Sequence, residues 1–188
     1  MVIKEEVFKI KGKGEFEGKD RELRIRCATH EDAQMLIDYL KTTCGETKFL
    51  VKEPEEINLT LEQEYKFIDG NNESEDSLLL LGFLDGEYIG NCSLMGKGTL
   101  RAKHRAGVGI AFLLKYTNLG IGKIMLGKLI EVAKEKGLEQ LELEVVADNA
   151  RALHVYESLG FKICGTFPKN MKYKDGTYAD CYFMVKEL

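Results

Sequence analysis

One stretch, residues 106–146, constrains the fold of this chain more than any other. It opens with a continuous apolar run over 106–115, suited to a strand inside a sheet. A glycine-rich turn follows, Tyr116-Thr-Asn-Leu-Gly120-Ile-Gly122-Lys123. From 120 to 136 the residues Ile121, Ile124, Met125, Leu129, Val132 and Ala133 share one face at helical period. Lys123, Glu131, Lys134 and Glu135 fall mostly elsewhere. Gly137 stands where a residue just past a helix takes the left-handed conformation. Residues 138–146 return as a strand. The run is therefore a β-α-β unit, which sets a helix on a sheet face.

The flanks extend that sheet. Residues 23–27 alternate apolar and polar, and Thr29 with Asp32 forms a capping-box pattern. A helix is expected to about 43 on the stripe Ala33, Leu36, Ile37, Leu40, closed by Gly45. A second helix is expected over 59–68, then a polar loop over 69–76. Strands over 77–84 and 87–94 are joined by the hairpin signal Asp85-Gly86. A short helix over 150–159 starts at Asp148-Asn149 and stops at Gly160. Strands over 162–167 and 178–186 close the chain around Lys174-Asp175-Gly176. The expected class is α/β (α+β in some schemes): a mixed, mostly antiparallel sheet of six to seven strands with helices on both faces. The length of 188 residues suits one domain over 21–188, with 1–20 as an N-terminal arm or edge strand.

Composition narrows the partners. A net charge of −4 argues against generic nucleic-acid binding, which leaves a basic footprint. The cysteines, 5 in number and without a CxxC, suggest neither a disulfide framework nor a metal site. The N-terminus shows no apolar targeting segment, and no run approaches the ~20 apolar residues of a membrane span, so a cytoplasmic protein is expected.

The turn before the central helix carries the first chemical signal. Helix N-termini present free N–H groups and partial positive charge, and glycines let a bulky anion approach, so the turn suits a diphosphate. A P-loop is excluded: Ile124 follows Gly122-Lys123, and Thr117 holds the first glycine position. A dinucleotide fingerprint is incomplete, since Met125 holds its third glycine position. Coenzyme A remains, beside the plainer reading of a turn that only packs tightly.

A second element is Asn149-Ala-Arg-Ala152-Leu-His-Val-Tyr156-Glu-Ser-Leu-Gly160-Phe161. Together with Thr117-Asn118-Leu119-Gly120-Ile121-Gly122 it resembles the GCN5-related N-acetyltransferase (GNAT) family over residues 23–188, especially its bacterial branch acetylating amino acids and ribosomal proteins. Thr117 departs from the usual Gln or Arg, a side-chain difference in a site built mainly of backbone. The resemblance implies an acetyl-CoA-dependent N-acetyltransferase moving acetyl to a primary amine by direct attack on the thioester. A non-catalytic CoA-binding or sensor domain of the same fold is the alternative.

The resemblance also implies that two neighbouring strands splay, with the pantetheine arm lying between them like an added strand. Main-chain groups near Phe112 and Leu114 would pair with it. Leu119, Gly120, Ile121, Gly122 and Lys123 would hold the pyrophosphate, and Asn149 would touch the cofactor from the other side. Tyr156 would be the general acid. No acid lies on the strand over 107–114, which leaves Glu144 as the candidate base. Glu142 lies two residues before it on the same face, and both also read as solvated surface residues. His104, His30 and His154 have weaker claims. No metal is implied, and a homodimer is common in such proteins. The acceptor pocket of such folds would draw on 33–61, 97–105 and 168–180. These segments carry Asp38, Glu46, Asp175 and Asp180 for a cationic amine, among comparable numbers of lysines.

Overall fold

The computed structural model describes residues 1–12 and 17–188. It contains eight strands: β1 (Glu6–Lys11), β2 (Asp20–Cys27), β3 (Leu78–Leu84), β4 (Glu87–Gly96), β5 (Arg105–Phe112), β6 (Gln140–Val146), β7 (Lys162–Lys172) and β8 (Tyr178–Glu187). Four α-helices accompany them: α1 (Ala33–Glu46), α2 (Leu61–Glu73), α3 (Ile121–Glu135) and α4 (Ala150–Ser158). The strands form one sheet in the order β1-β2-β3-β4-β5-β6-β8-β7. All neighbours are antiparallel except β5 and β6, the pair joined by α3.

The expected six to seven strands become eight because Glu6–Lys11 pairs with β2 along its whole length. That strand lies in the segment read as an arm or edge strand, of which residues 13–16 lie outside the described residues. Other boundaries move as well, among them β2, which starts at Asp20, and β7, which runs on to Lys172. Helix α1 continues through Gly45, which packs under Pro54; a Cβ there would lie 3.5 Å from Pro54 Cγ. Helix α2 absorbs part of the expected polar loop. The Asn71 amide donates to Phe67 O at 2.8 Å and the Asn72 amide to Ala28 O at 2.9 Å, which ties the polar turn down. Strand β5 stops at Phe112, because residues 114–116 form a single 3-10 turn.

Alternation along the strands creates two cores. Leu23, Ile25, Leu80, Leu94, Val108, Leu141 and Leu143 face α3 and α4, where Met125, Leu129 and Tyr156 meet them. On the opposite face Leu79 and Leu81 meet Ala33 and Leu36 of α1 and Ile68 of α2. The Thr29–Asp32 box forms as expected, with the Thr29 N–H donating to Asp32 at 2.8 Å. The carboxylate of Asp32 also takes two hydrogen bonds from Arg26, each 2.7 Å, so β2 and the start of α1 are pinned together.

Candidate active site

The site grows from the parting of β5 and β6. They pair only at Arg105–Gln140, Ala106–Leu141 and Gly107–Glu142. Beyond that point β5 stays with β4 as far as Phe112, while β6 stays with β8 as far as Val146. The two strands follow different neighbours, and a cleft of about 1280 Å³ opens between them. Val108, Ile110 and Phe112 line it from the α3 face, and Gly109 and Ala111 from the α1 face, so the cleft passes through the sheet. The Leu113 N–H donates to Ile89 O at 2.9 Å. Strand alternation then turns the main-chain groups of Ile110 and Phe112 the other way, toward the cleft.

At one end stands the glycine turn. Tyr116 anchors it: the ring is buried in the α3 core and the hydroxyl donates to Glu87. The Thr117 hydroxyl donates to Leu114 O at 2.8 Å, closing the 3-10 turn. Asn118 (φ +65°) and Gly120 (φ +83°) adopt the left-handed conformation, and Gly120 is the N-cap of α3. No side chain caps this helix, and its first turn holds no acid. The N–H groups of Leu119, Gly120, Ile121 and Gly122 make no hydrogen bond among the described residues, so this end of the cleft is a cluster of free donors. Lys123 is exposed on the cleft rim and has no ion-pair partner among the described residues.

Tyr156 enters from α4. Asn149 caps that helix, its side chain accepting from the Ala152 N–H at 3.2 Å, and it also lines the cleft. Tyr156 is 7% exposed and meets Phe161 edge-on at 5.8 Å between ring centres. Its hydroxyl has no hydrogen-bond partner among the described residues, and burial pushes its pKa up to about 12. It therefore holds its proton at any physiological pH.

Glu144 lies on the opposite face of the sheet, exposed on the cleft wall, with the Asn170 amide donating to it at 3.3 Å. Glu142, on the same face, is not a solvated residue as its sequence context suggests. It is 7% exposed and sits between Lys97 and Arg105, the latter at 2.6 Å. Burial alone would push its carboxyl up; the two cations outweigh that and hold it below the ordinary carboxylate range.

The sequence-expected residues Phe112, Leu114, Leu119, Gly120, Ile121, Gly122, Lys123, Glu144, Asn149 and Tyr156 thus line one cleft. His104 and His30 do not line it, whereas His154 does. Two features were missed. The Leu114 N–H already donates to Glu46 Oε2 at 2.7 Å. A carboxylate at a helix C-terminus opposes the helix dipole, and Glu46 ends α1, so that position was the available signal. Lys48 pairs with Asp148 at 2.6 Å, tying the segment after α1 to the start of α4; no local pattern announces a contact so distant in sequence.

The family model described as acetyltransferase (GNAT) family matches residues 35–161. The chain belongs to that family. A GNAT-family acetyltransferase from Streptococcus pneumoniae has a similar structure, with a TM-score of 0.85 and 30% identity over 88% of this chain and 99% of that one. The L-amino acid N-acetyltransferase AaaT of Escherichia coli K12 is 31% identical over 108 residues, 57% of this GNAT chain and 66% of AaaT. A ribosomal protein bS18-alanine N-acetyltransferase of Haemophilus influenzae is 50% identical over 52 residues, 28% of this chain and 35% of that protein. The matches to these two curated relatives span less than two thirds of their lengths.

Proposed function

We propose that this GNAT chain is an acetyl-CoA-dependent N-acetyltransferase that moves an acetyl group to a primary amine by direct attack on the thioester. The carrying observation is the through-sheet cleft between β5 and β6, with free main-chain donors at one end and Tyr156 and Glu144 on opposite faces. The amides of residues 119–123 fit a pyrophosphate, with Lys123 adding charge at the rim. Main-chain groups of Phe112 fit an extended amide-bearing arm, and Leu114 joins them once Glu46 releases its N–H. Asn149, with its Oδ1 engaged in capping, has its amide available to the cosubstrate.

The two faces divide the chemistry. An amine arriving from the α1 face meets Glu144, which accepts its proton directly or through water. The thiolate departs on the α4 side, toward Tyr156. A phenol held near pKa 12 is a weaker acid than an ordinary thiol of about 8.5. Tyr156 therefore acts first by donating a hydrogen bond to the forming thiolate. AaaT and the bS18 enzyme, by their names, acetylate L-amino acids and an alanine of ribosomal protein bS18. The acceptor of this chain belongs to that range of primary amines.

Thermal melting with acetyl-CoA, CoA, NAD and ATP in parallel tests the reading, since a ligand specific for the native state raises the midpoint by mass action. A shift with acetyl-CoA and CoA alone supports it. Absence of any shift with either, far above micromolar concentration, would end it.

A further inference from the structure

Helix α1 reaches the end of β5 through Tyr39. That side chain is buried, at 6% exposure, and its hydroxyl donates to Ala111 O at 2.6 Å. The ring meets Tyr88 edge-on at 4.9 Å between centres, and Tyr88 packs in turn on Phe83 at 5.4 Å. The Tyr88 hydroxyl accepts from the Asn91 amide at 2.9 Å. Side chains of β3 and β4 therefore fix the ring, and the ring fixes the hydroxyl. Burial raises the pKa of the Tyr39 phenol well above its ordinary value, so the hydroxyl keeps its proton to donate. Seven residues on, two turns along the same helix face, Glu46 accepts from the Leu114 N–H at 2.7 Å. One face of α1 thus holds main-chain groups on either side of Phe112.

The Ala111 C=O and the Phe112 N–H are the two ends of one planar trans peptide, so they point in opposite directions. The Leu113 N–H turns to β4, and alternation turns the Phe112 N–H to the cleft. The Tyr39 hydroxyl therefore grips the back of the peptide whose front is a cleft donor. Strand β4 presses on the same peptide. Gly90 lies opposite Phe112, and a Cβ there would stand 2.3 Å from Ala111 O and 2.7 Å from Phe112 Cα. Between Tyr39 and Gly90 the peptide plane has little room to rotate. A hydrogen bond to its carbonyl also polarises the amide, which strengthens the N–H as a donor by ~10–30%.

We propose that Tyr39 is a positioning residue for the cosubstrate: through Ala111 O it aims and strengthens the Phe112 N–H that holds the extended arm of acetyl-CoA. This rests on the acetyltransferase reading above. Tyr39 touches neither the cosubstrate nor the reacting atoms, and its effect passes entirely through the 111–112 peptide. The arm is common to acetyl-CoA and CoA, so the residue serves the affinity for both and not the chemical step.

Tyr39→Phe in the full chain tests this, since it removes the hydroxyl and keeps the ring against Tyr88. Titration calorimetry should show acetyl-CoA and CoA weakened alike, by about twofold to tenfold, the scale of one hydrogen bond. The KM for acetyl-CoA should rise by the same factor, with kcat at saturation unchanged. The peptide itself can be watched by NMR. The sequence holds only one Ala-Phe pair, Ala111-Phe112, so carbonyl-13C alanine with 15N phenylalanine gives a single correlated signal. CoA should move the Phe112 amide proton downfield in the parent. In Tyr39→Phe the signal should start upfield and move less. Placing 3-fluorotyrosine at position 39, a stronger donor that keeps every tyrosine atom needed for folding, should shift signal and affinity the opposite way. A merely structural role would leave the Phe112 signal and its response to CoA as in the parent, and that result overturns the proposal. So does unchanged affinity, or a fall in kcat with affinity intact. If the parent binds CoA and the variant binds it equally, this proposal has failed alone. If the parent binds neither acetyl-CoA nor CoA, the acetyltransferase reading has failed with it.

Discussion

Replacing Tyr156 by Phe should slow the protein while leaving its stability near that of the parent. The hydroxyl is held in a 7% exposed residue without a hydrogen-bond partner among the described residues. The hydroxyl borders the cleft, where water reaches it, so its removal should move the melting midpoint by less than the ~2–4 °C that ~1 kcal/mol is worth in a chain of this size. The ring contact with Phe161 survives the change. In turnover the loss is that of a hydrogen bond to a developing thiolate, ~1.5–3 kcal/mol, which is roughly a tenfold to 150-fold fall in kcat. Thiol release from acetyl-CoA, followed spectroscopically with an amine in excess, measures kcat; melting with CoA measures binding, which should hold. A melting midpoint lowered by more than that would mean that the hydroxyl has a partner in the folded protein. An unchanged kcat would remove Tyr156 from the chemistry, whatever the melting shows.

The two glutamates of β6 should separate cleanly. Glu144→Gln should lower kcat by about a hundredfold, the usual scale for a lost base, with the melting midpoint near that of the parent. Glu142→Gln should instead cost about 1–3 kcal/mol of stability, since two cations lose their shared partner; equal effects at both positions in both assays would refute the assignment. Gly120→Ala should cost about 1 kcal/mol in melting, because φ +83° strains any side chain. It should also weaken CoA binding severalfold in titration calorimetry, because the new Cβ meets no protein atom within 4 Å and stands in open space beside the free amides. Unchanged affinity would place the pyrophosphate elsewhere. Asp32 supplies a pH test: burial raises its pKa, but Arg26 and Thr29 outweigh that and hold it below the ordinary value. A carboxyl depressed in the folded state contributes stability that is complete above its unfolded pKa of about 4 and lost as pH falls through the lower folded value. Urea midpoints of Asp32→Asn and the parent protein should therefore converge at acid pH. A gap constant down to pH 2 would contradict that account.

Legibility followed the range of the interactions. The capping box at Thr29, the cap at Asn149 and the period of α3 are set by neighbours within a turn or two and form in the structure, although Thr29 caps a 3-10 turn, His30–Asp32, that leads into α1. Boundaries failed where a distant partner intervened. Helix α1 runs through Gly45 where Pro54 packs close by, and Ala28 O holds Asn72 at the end of α2. Glu46 left a faint local trace, as an acid at the wrong end of a helix. Lys48 and Asp148 left none, being exposed charges whose pairing depends on how two loops meet.

The sequence by itself determined the turn of free amides, the helix that places Tyr156, and the β-α-β unit joining them, because each is written in residues adjacent along the chain. Only the tertiary structure decided how the sheet opens and what its acids do. Strands β5 and β6 part because each keeps its other neighbour, a competition between pairings that no single strand records. Glu142 and Glu144 alternate identically along one strand. Yet one is buried between cations brought from residues 97 and 105, and the other faces the cleft beside Asn170. The charge state and task of a carboxylate depend on groups that approach it through space, and those are fixed only when the whole sheet has assembled.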